Sequence, residues 1–327
     1  MQRGIQNRDH ALMSEADEDI TAARFQQLNE RFYTADPADY FRVRLSTLVL
    51  VAGRAEDLLG LLKEGVEYGR IRAKADPDAE VDAADIPRYV TVESQVLLHH
   101  AAEALIRLFL AHVGNPPCPW FELSTETDFG RFKRRVQDQL VKPRRRGALE
   151  EEAAFVLLGR RGPPSEEDAA RWHDATENLA RFLRVFAGHW LKDSHVFNAM
   201  KHGLAIIPGD ALFQILDDEG KAVRLGEGTS VEFLEAREWE KDPGGRRTRR
   251  EWQTTTRWLD IQESLGLVEI GALMIDSLWV VAKHRYLDSD GEVQLFFPTG
   301  LKPENLRGPR SPVHTFSWRL LEERQRE

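Results

Sequence analysis

The sequence predicts a mainly α protein: a helical bundle with a small inserted antiparallel β-hairpin element. Three observations lead there. Apolar residues recur at spacings of three and four over 91–112, 165–191 and 262–286, the period of an amphipathic helix. The period drops to two over 211–259, where Asp217-Asp218-Glu219-Gly220 and Asp242-Pro243-Gly244-Gly245 place turn residues between alternating runs. The composition, 42% hydrophobic and 30% charged over 327 residues, is that of an ordinary globular chain with enough length for a sizeable core.

In order along the chain, a short helix is expected over about 20–35, closed by Asp36-Pro37. A long helical pattern follows over 43–74 (Leu45, Leu48, Val49, Ala52, Leu58, Leu59, Leu62, Val66), then an acidic linker from Ala75 to Pro87. The helix from Thr91 to His112 has the broadest apolar face, and Gly114-Asn115-Pro116-Pro117 stops it. A basic amphipathic segment covers 129–141, and a short helix covers about 148–158. Ser165 and Asp168 form a capping-box pattern for a helix to about Leu191. Asp193-Ser194 reads as a fresh cap for a short helix ending before Pro208-Gly209. Two hairpins (211–225 and 231–259), a helix over 262–286, a strand over 293–297 and a loosely docked tail complete the order. The corresponding divisions are N-terminal helices 1–80 packed on the bundle, the bundle 81–207, the β insertion 208–260, and a C-terminal helix, strand and tail 261–327.

Charge and composition bound the function. A net charge of −9 argues against a general nucleic-acid coat, because phosphate binding needs a basic surface, but it leaves room for a local basic patch. The N-terminus lacks the apolar core of a signal peptide, and the apolar stretch Ile270 to Ala282 is interrupted by Asp276, so no membrane association is expected. Cys118 is the only cysteine, which fits a reducing cytoplasm, and in Pro116-Pro117-Cys118-Pro119-Trp120 it reads as structural. No P-loop, dinucleotide fingerprint or nucleophile elbow is present, so no cofactor is expected.

The leading chemical candidate is a polar stripe near 200. At about 100° per residue, His195, Asn198 and His202 share an arc of about 60°, with Lys201 beside it. Val196, Ala199 and Met200 lie opposite and are free to pack inward. A histidine moves protons, a lysine stabilises anionic oxygens, and an asparagine orients either. The stripe contains no carboxylate, which suits phosphate chemistry better than metal chemistry. The alternative is a solvated helix face beside a satisfied histidine.

The run Val196-Phe197-Asn198-Ala199-Met200-Lys201-His202-Gly203, together with the early helix around Leu97-Leu98-His99-His100-Ala101-Ala102-Glu103, resembles the motif region of HEPN-domain proteins. The likeness covers roughly 90–207, with the 262–286 helix as a further member. Proteins of that superfamily are four-helix bundles, many of them metal-independent RNases or components of toxin and phage-defence systems. Their motif is an arginine, commonly followed by asparagine, with a histidine four to six residues on and often a glycine after it. Asn198, His202 and Gly203 match, whereas Phe197 stands where the arginine belongs. Arg184 and His189 repeat the spacing by themselves. The resemblance implies that His202 helps activate a ribose 2′-hydroxyl, that Lys201 stabilises the phosphorane, and that two protomers pair to complete the site. A non-catalytic RNA-binding or signalling bundle is the alternative that the missing arginine leaves open.

Two other groups complete the reading. His99 and Glu103 face each other one turn apart, with His100 alongside, as supporting polar residues. Metal-ligand spacing is absent, so no metal is expected. In 129–147, Arg131, Lys133, Arg134, Arg135, Lys142, Arg144, Arg145 and Arg146 face one acid, Asp138, with Phe129 and Phe132 interleaved. That asymmetry is the best phosphate-binding surface in the sequence, with a solvated helix and loop as the plain alternative. The arginines at 246, 247, 249 and 250 invite the same pair of readings. The expected function is a HEPN-like RNase or RNA-binding protein, RNA its partner and a homodimer its assembly, set against a non-catalytic helical scaffold.

Overall fold

The computed structural model describes residues 21–74, 85–201, 206–216, 218–241, 247–287, 294–307 and 314–319, with backbone alone for 193–195, 236–241, 247–251 and 319. Helix α1 (Ala22–Phe32) is capped by Thr21, whose Oγ1 accepts from the Arg24 amide at 3.3 Å. Asp36 caps α2 (Pro37–Gly53) in the same way, and Pro37 occupies the first helical position, where its missing N–H costs nothing. Helix α3 (Ala55–Glu64) leads into a two-stranded hairpin, β1 (Val66–Tyr68) and β2 (Ile71–Ala73).

Helix α4 (Asp85–His112) is the axis of the bundle, packed against α2, α8 (Ala169–Lys201) and α9 (Ile261–Leu287). Leu97, Ala101, Leu105, Ile106 and Phe109 are fully buried along it, facing Leu179, Phe182, Leu183 and Phe186 of α8 and Val268, Ile275 and Leu278 of α9. The helix ends where Gly114 and Asn115 both turn to positive φ. Short helices α5 (Pro119–Thr125), α6 (Phe129–Val136, continued by a π turn over Gln137–Val141) and α7 (Ala148–Leu158) wrap its lower end.

Two polar contacts inside the bundle tie its helices together. Asp276, the acid within the apolar run of α9, accepts from Arg42 of α2 at 2.8 Å. Tyr33 Oη lies 2.9 Å from His112 Nε2, while His112 Nδ1 lies 2.7 Å from the Leu108 carbonyl. A carbonyl only accepts, so Nδ1 carries the hydrogen and Nε2 of neutral His112 accepts a hydrogen bond from the Tyr33 O–H. Burial holds His112 down to about 4.

A four-stranded antiparallel sheet, β3 (Ile206–Leu216), β4 (Ala222–Lys241), β5 (Arg247–Trp258) and β6 (Thr315–Arg319) in that order, closes one end of the bundle. One face buries Ile206, Val231 and Phe233 against Val96 of α4 and Val196, Phe197 and Met200 of α8, a second small core. The other face rolls up. Phe213 and Phe316, from the two edge strands, have ring centroids 4.0 Å apart, and Trp258 lies across Gly226 with its indole N–H donating to the Ala211 carbonyl at 2.9 Å.

Several expectations are corrected. The fold is not a bundle with one small hairpin element: a four-stranded sheet and a separate two-stranded hairpin stand beside the helices. The pattern over 43–74 breaks into α2, α3 and that hairpin: the chain leaves helical geometry at Arg54, and Gly65 and Gly69 adopt positive φ at the end of α3 and in the hairpin turn. The cap expected at Asp193-Ser194 is absent, since α8 runs unbroken for 33 residues with both ends packed. Pro208-Gly209 lies inside β3 rather than closing a helix. Pro208 is tolerated because β3 is an edge strand. Gln294–Phe297 forms no strand, and the described part of the tail is anchored: Asn178 donates to the Pro298 carbonyl at 2.9 Å, Arg307 meets Glu263 at 3.0 Å, and β6 completes the sheet. Helix α9 is longer than the apolar stretch that marks it and meets the length and hydropathy of a membrane span, yet 67% of its most apolar window is buried within the bundle.

Two outcomes follow for stability. His112 is neutral when folded and protonates at its ordinary value of 6.5 when unfolded, so stability falls as pH drops from 6.5 to about 4. The loss is about 3 kcal/mol, and urea denaturation of the protein against His112→Gln across that window should show the difference disappear in the variant. A Cβ at Gly226 would meet the Trp258 ring at 2.9 Å. Gly226→Ala should therefore cost about 1–3 kcal/mol and shift the tryptophan emission, read from denaturation followed by fluorescence.

Candidate functional site

The last two turns of α8 carry the described part of the polar stripe. Val196, Phe197 and Met200 are buried, while Asn198 and Lys201 are exposed. His195 lies in α8 with its side chain outside the described residues, and His202 lies outside them altogether.

Phe197 is the pivot. Its ring stacks on His99 at 3.9 Å between centroids and 11° between planes, and meets His100 edge-on at 5.2 Å and 71°. Phe197 thus packs against two adjacent histidines of α4, where a guanidinium would be buried against imidazole rings. A single aromatic side chain holds the end of α8 against α4 and divides the surroundings into two sides.

On the His100 side, Arg44 of α2 reaches across from a position 56 residues away. Its Nη1 lies 3.1 Å from His100 Nδ1 and 3.3 Å from Tyr40 Oη, and its Nη2 lies 3.1 Å from a Glu93 carboxylate oxygen. A guanidinium has donors alone, so His100 Nδ1 must accept and the ring hydrogen sits on Nε2. Burial lowers the His100 pKa, and the charges of Arg44 and Lys201 push it the same way, against Glu103 and Glu93. His100 is therefore a neutral imidazole whose outer nitrogen donates. Tyr89, Glu93, His100, Glu103 and Arg107 fall on one stripe of α4, by the 100° rotation per residue. Arg107 binds Glu103 at 2.8 Å.

On the His99 side, a narrow cleft between α4, α8 and β5 is lined by Gln95, His99, His189, Phe197, Met200 and Arg257. Gln95 donates to Ser264 Oγ of α9 at 2.7 Å, fixing one wall. His189 thus faces this cleft, while Arg184, its partner in the second sequence match, is bound to Glu150 at 2.8 Å.

The basic segment docks onto the same two helices. Phe129 and Phe132 pack against Trp190 of α8 with centroids 5.5 and 5.1 Å away, and the Arg107 guanidinium sits 4.3 Å over the Phe132 ring. Arg131, Lys133, Arg134, Lys142, Arg144 and Arg146 are exposed and form no salt bridge among the described residues. Two neighbours are spent on structure: Arg135 binds Glu126 at 3.1 Å and the Leu110 carbonyl at 2.8 Å, and Arg145 grips both oxygens of Glu151.

The structure therefore sets His100 and Glu103 on one stripe of α4 that ends where Arg107 meets α6, leaves Asn198 and Lys201 exposed at the end of α8, and puts His99 in the cleft on the other side of Phe197. Sequence reasoning missed Tyr40, Arg44 and Glu93, since an arginine on an otherwise apolar helix carries no sign of which distant helix it will meet. Cys118 is buried, and that burial raises its thiol pKa. Among the described residues no group of three or more His, Cys, Asp and Glu is placed to hold a metal ion. No protein-family model matches the chain, and no curated protein or solved structure matches it.

Arg44→Ala removes a charge that lowers the His100 pKa and frees Glu93 to raise it. The His100 pKa should move upward toward 6.5, still held below it by burial, in a titration followed by imidazole NMR signals.

Proposed function

We propose that the protein binds RNA, as a HEPN-like helical protein, with metal-independent cleavage assigned to the end of α8. The observation that carries this reading is the polar stripe of α4. It leads from Arg44 and His100 through Glu103 to Arg107, whose guanidinium rests on α6, the helix bearing the exposed cations. In a chain of net charge −9, Arg44 and Arg107 of that stripe are paired with Glu93 and Glu103, while Arg131, Lys133 and Arg134 of the adjoining α6 have no salt-bridge partner among the described residues. Phosphates would be held by Arg131, Lys133, Arg134, Arg144 and Arg146, and Lys201 with Asn198 would meet the chain at the end of α8. His202 is the proton acceptor that the resemblance implies, and because His100 is committed to donation it does not duplicate that role.

A second reading, a helical interaction scaffold or homodimer, is favoured by one observation. Tyr40, Val43 and Leu50 leave an apolar stripe of α2 exposed, at 57%, 65% and 63%.

Fluorescence anisotropy with labelled single-stranded RNA over a salt series tests the first reading. The triple variant Arg131→Ala/Lys133→Ala/Arg134→Ala should bind more weakly and flatten the log–log salt slope by about 2, at about 0.7 per lost phosphate contact. His202→Ala should retain binding and lose cleavage. A wild-type protein that leaves RNA unbound at low salt sinks the reading and leaves the scaffold standing.

A further inference from the structure

From the geometry around Arg44 we infer a seat for a single phosphate group, formed by Tyr40 Oη, His100 Nε2 and Lys201 Nζ. The inference rests on the RNA reading for the identity of the carrier, a backbone phosphodiester, but the chemistry of the seat stands by itself. Arg44 Nη1 is shared between Tyr40 Oη and His100 Nδ1, so those two side chains are held within one guanidinium nitrogen of each other. Both accept from that nitrogen, and each keeps its own hydrogen to donate elsewhere: the phenol its O–H, the imidazole its Nε2–H. Tyr40 is 57% exposed and His100 half-buried, so both side chains reach the surface.

Lys201 supplies the charge. It lies one helical turn beyond Phe197, whose ring touches His100, so its stem rises on the same side. The carboxylates facing His100 are each bound by an arginine, Glu93 by Arg44 and Glu103 by Arg107, and Lys201 makes no salt bridge among the described residues. The outward groups are thus two neutral donors and one cation without a salt bridge, with no carboxylate among them. That set suits a phosphate and disfavours a metal ion or a sugar hydroxyl. Arg44 is a positioning residue here: it fixes the histidine tautomer and carries the carboxylate that would otherwise repel an anion.

The test uses the full chain, labelled oligouridylate and, separately, inorganic phosphate, with the His100 ring nitrogens followed by NMR. The expected result has three parts. The free protein shows the Nε2–H tautomer of His100, and its Nε2 signal moves on adding RNA. Lys201→Ala flattens the RNA salt slope by about 0.7, one phosphate contact. Tyr40→Phe weakens binding several-fold with the slope unchanged, as loss of one neutral hydrogen bond requires. RNA binding that is unaltered in both variants, with a stationary His100 signal, overturns the seat and leaves the RNA reading intact. A wild type that ignores RNA, yet whose His100 Nε2 signal moves with inorganic phosphate in a Lys201-dependent way, keeps the seat and overturns RNA as its carrier. A His100 signal that responds to neither probe, or an Nδ1–H tautomer in the free protein, overturns the seat outright.

Discussion

The confinement of α4 governs the rest of the molecule. With α2, α8 and α9 against it, this helix has one strip left to water, and each polar side chain it carries must either surface there or find a partner inside. His112 takes the second course, between the Leu108 carbonyl and Tyr33. His100, Glu103 and Arg107 take the first. The polar surface along the bundle is therefore a by-product of packing: the strip is where it is because the other faces of the helix are occupied.

Phe197 translates that confinement into the arrangement of the site. By stacking on His99 it turns one imidazole toward the cleft under the sheet, and by meeting His100 edge-on it leaves the other facing Arg44. An arginine at this position would have to bury its charge in the small core formed with Val96, Met200 and Phe233, where no carboxylate is described to receive it. The cation beside His100 comes from α2, where Arg44 also holds the Glu93 carboxylate.

The helices that bury a continuous apolar face were legible, as the residues of α4 and α9 illustrate, because a period of 3.6 is a local property. The inward turn of Val196 and Met200 was legible for the same reason, although they meet a sheet rather than the main core. What escaped was non-local or depended on a single backbone angle. Gly65 and Gly69 end a helical pattern whose apolar residues continue past them. The Arg44–His100 contact joins residues 56 positions apart, and no period encodes it. Asp193 and Ser194 carry the chemistry of a cap, but packing on both sides of α8 outweighs that preference.

The rolled sheet has one further consequence, which concerns time. Three of its strands are neighbours in sequence, but β6 follows α9 and the anchored tail, so the outer edge of β5 and the ring of Phe213 wait for a strand made much later. Closing so long a loop costs entropy before any contact is returned. During synthesis β3 to β5 can pair and the bundle can condense, while an open strand edge stays exposed until Thr315–Arg319 arrives. Thr315–Arg319 therefore covers the outer edge of β5 and becomes a short edge itself, and Pro208, lacking an N–H, interrupts the opposite edge strand.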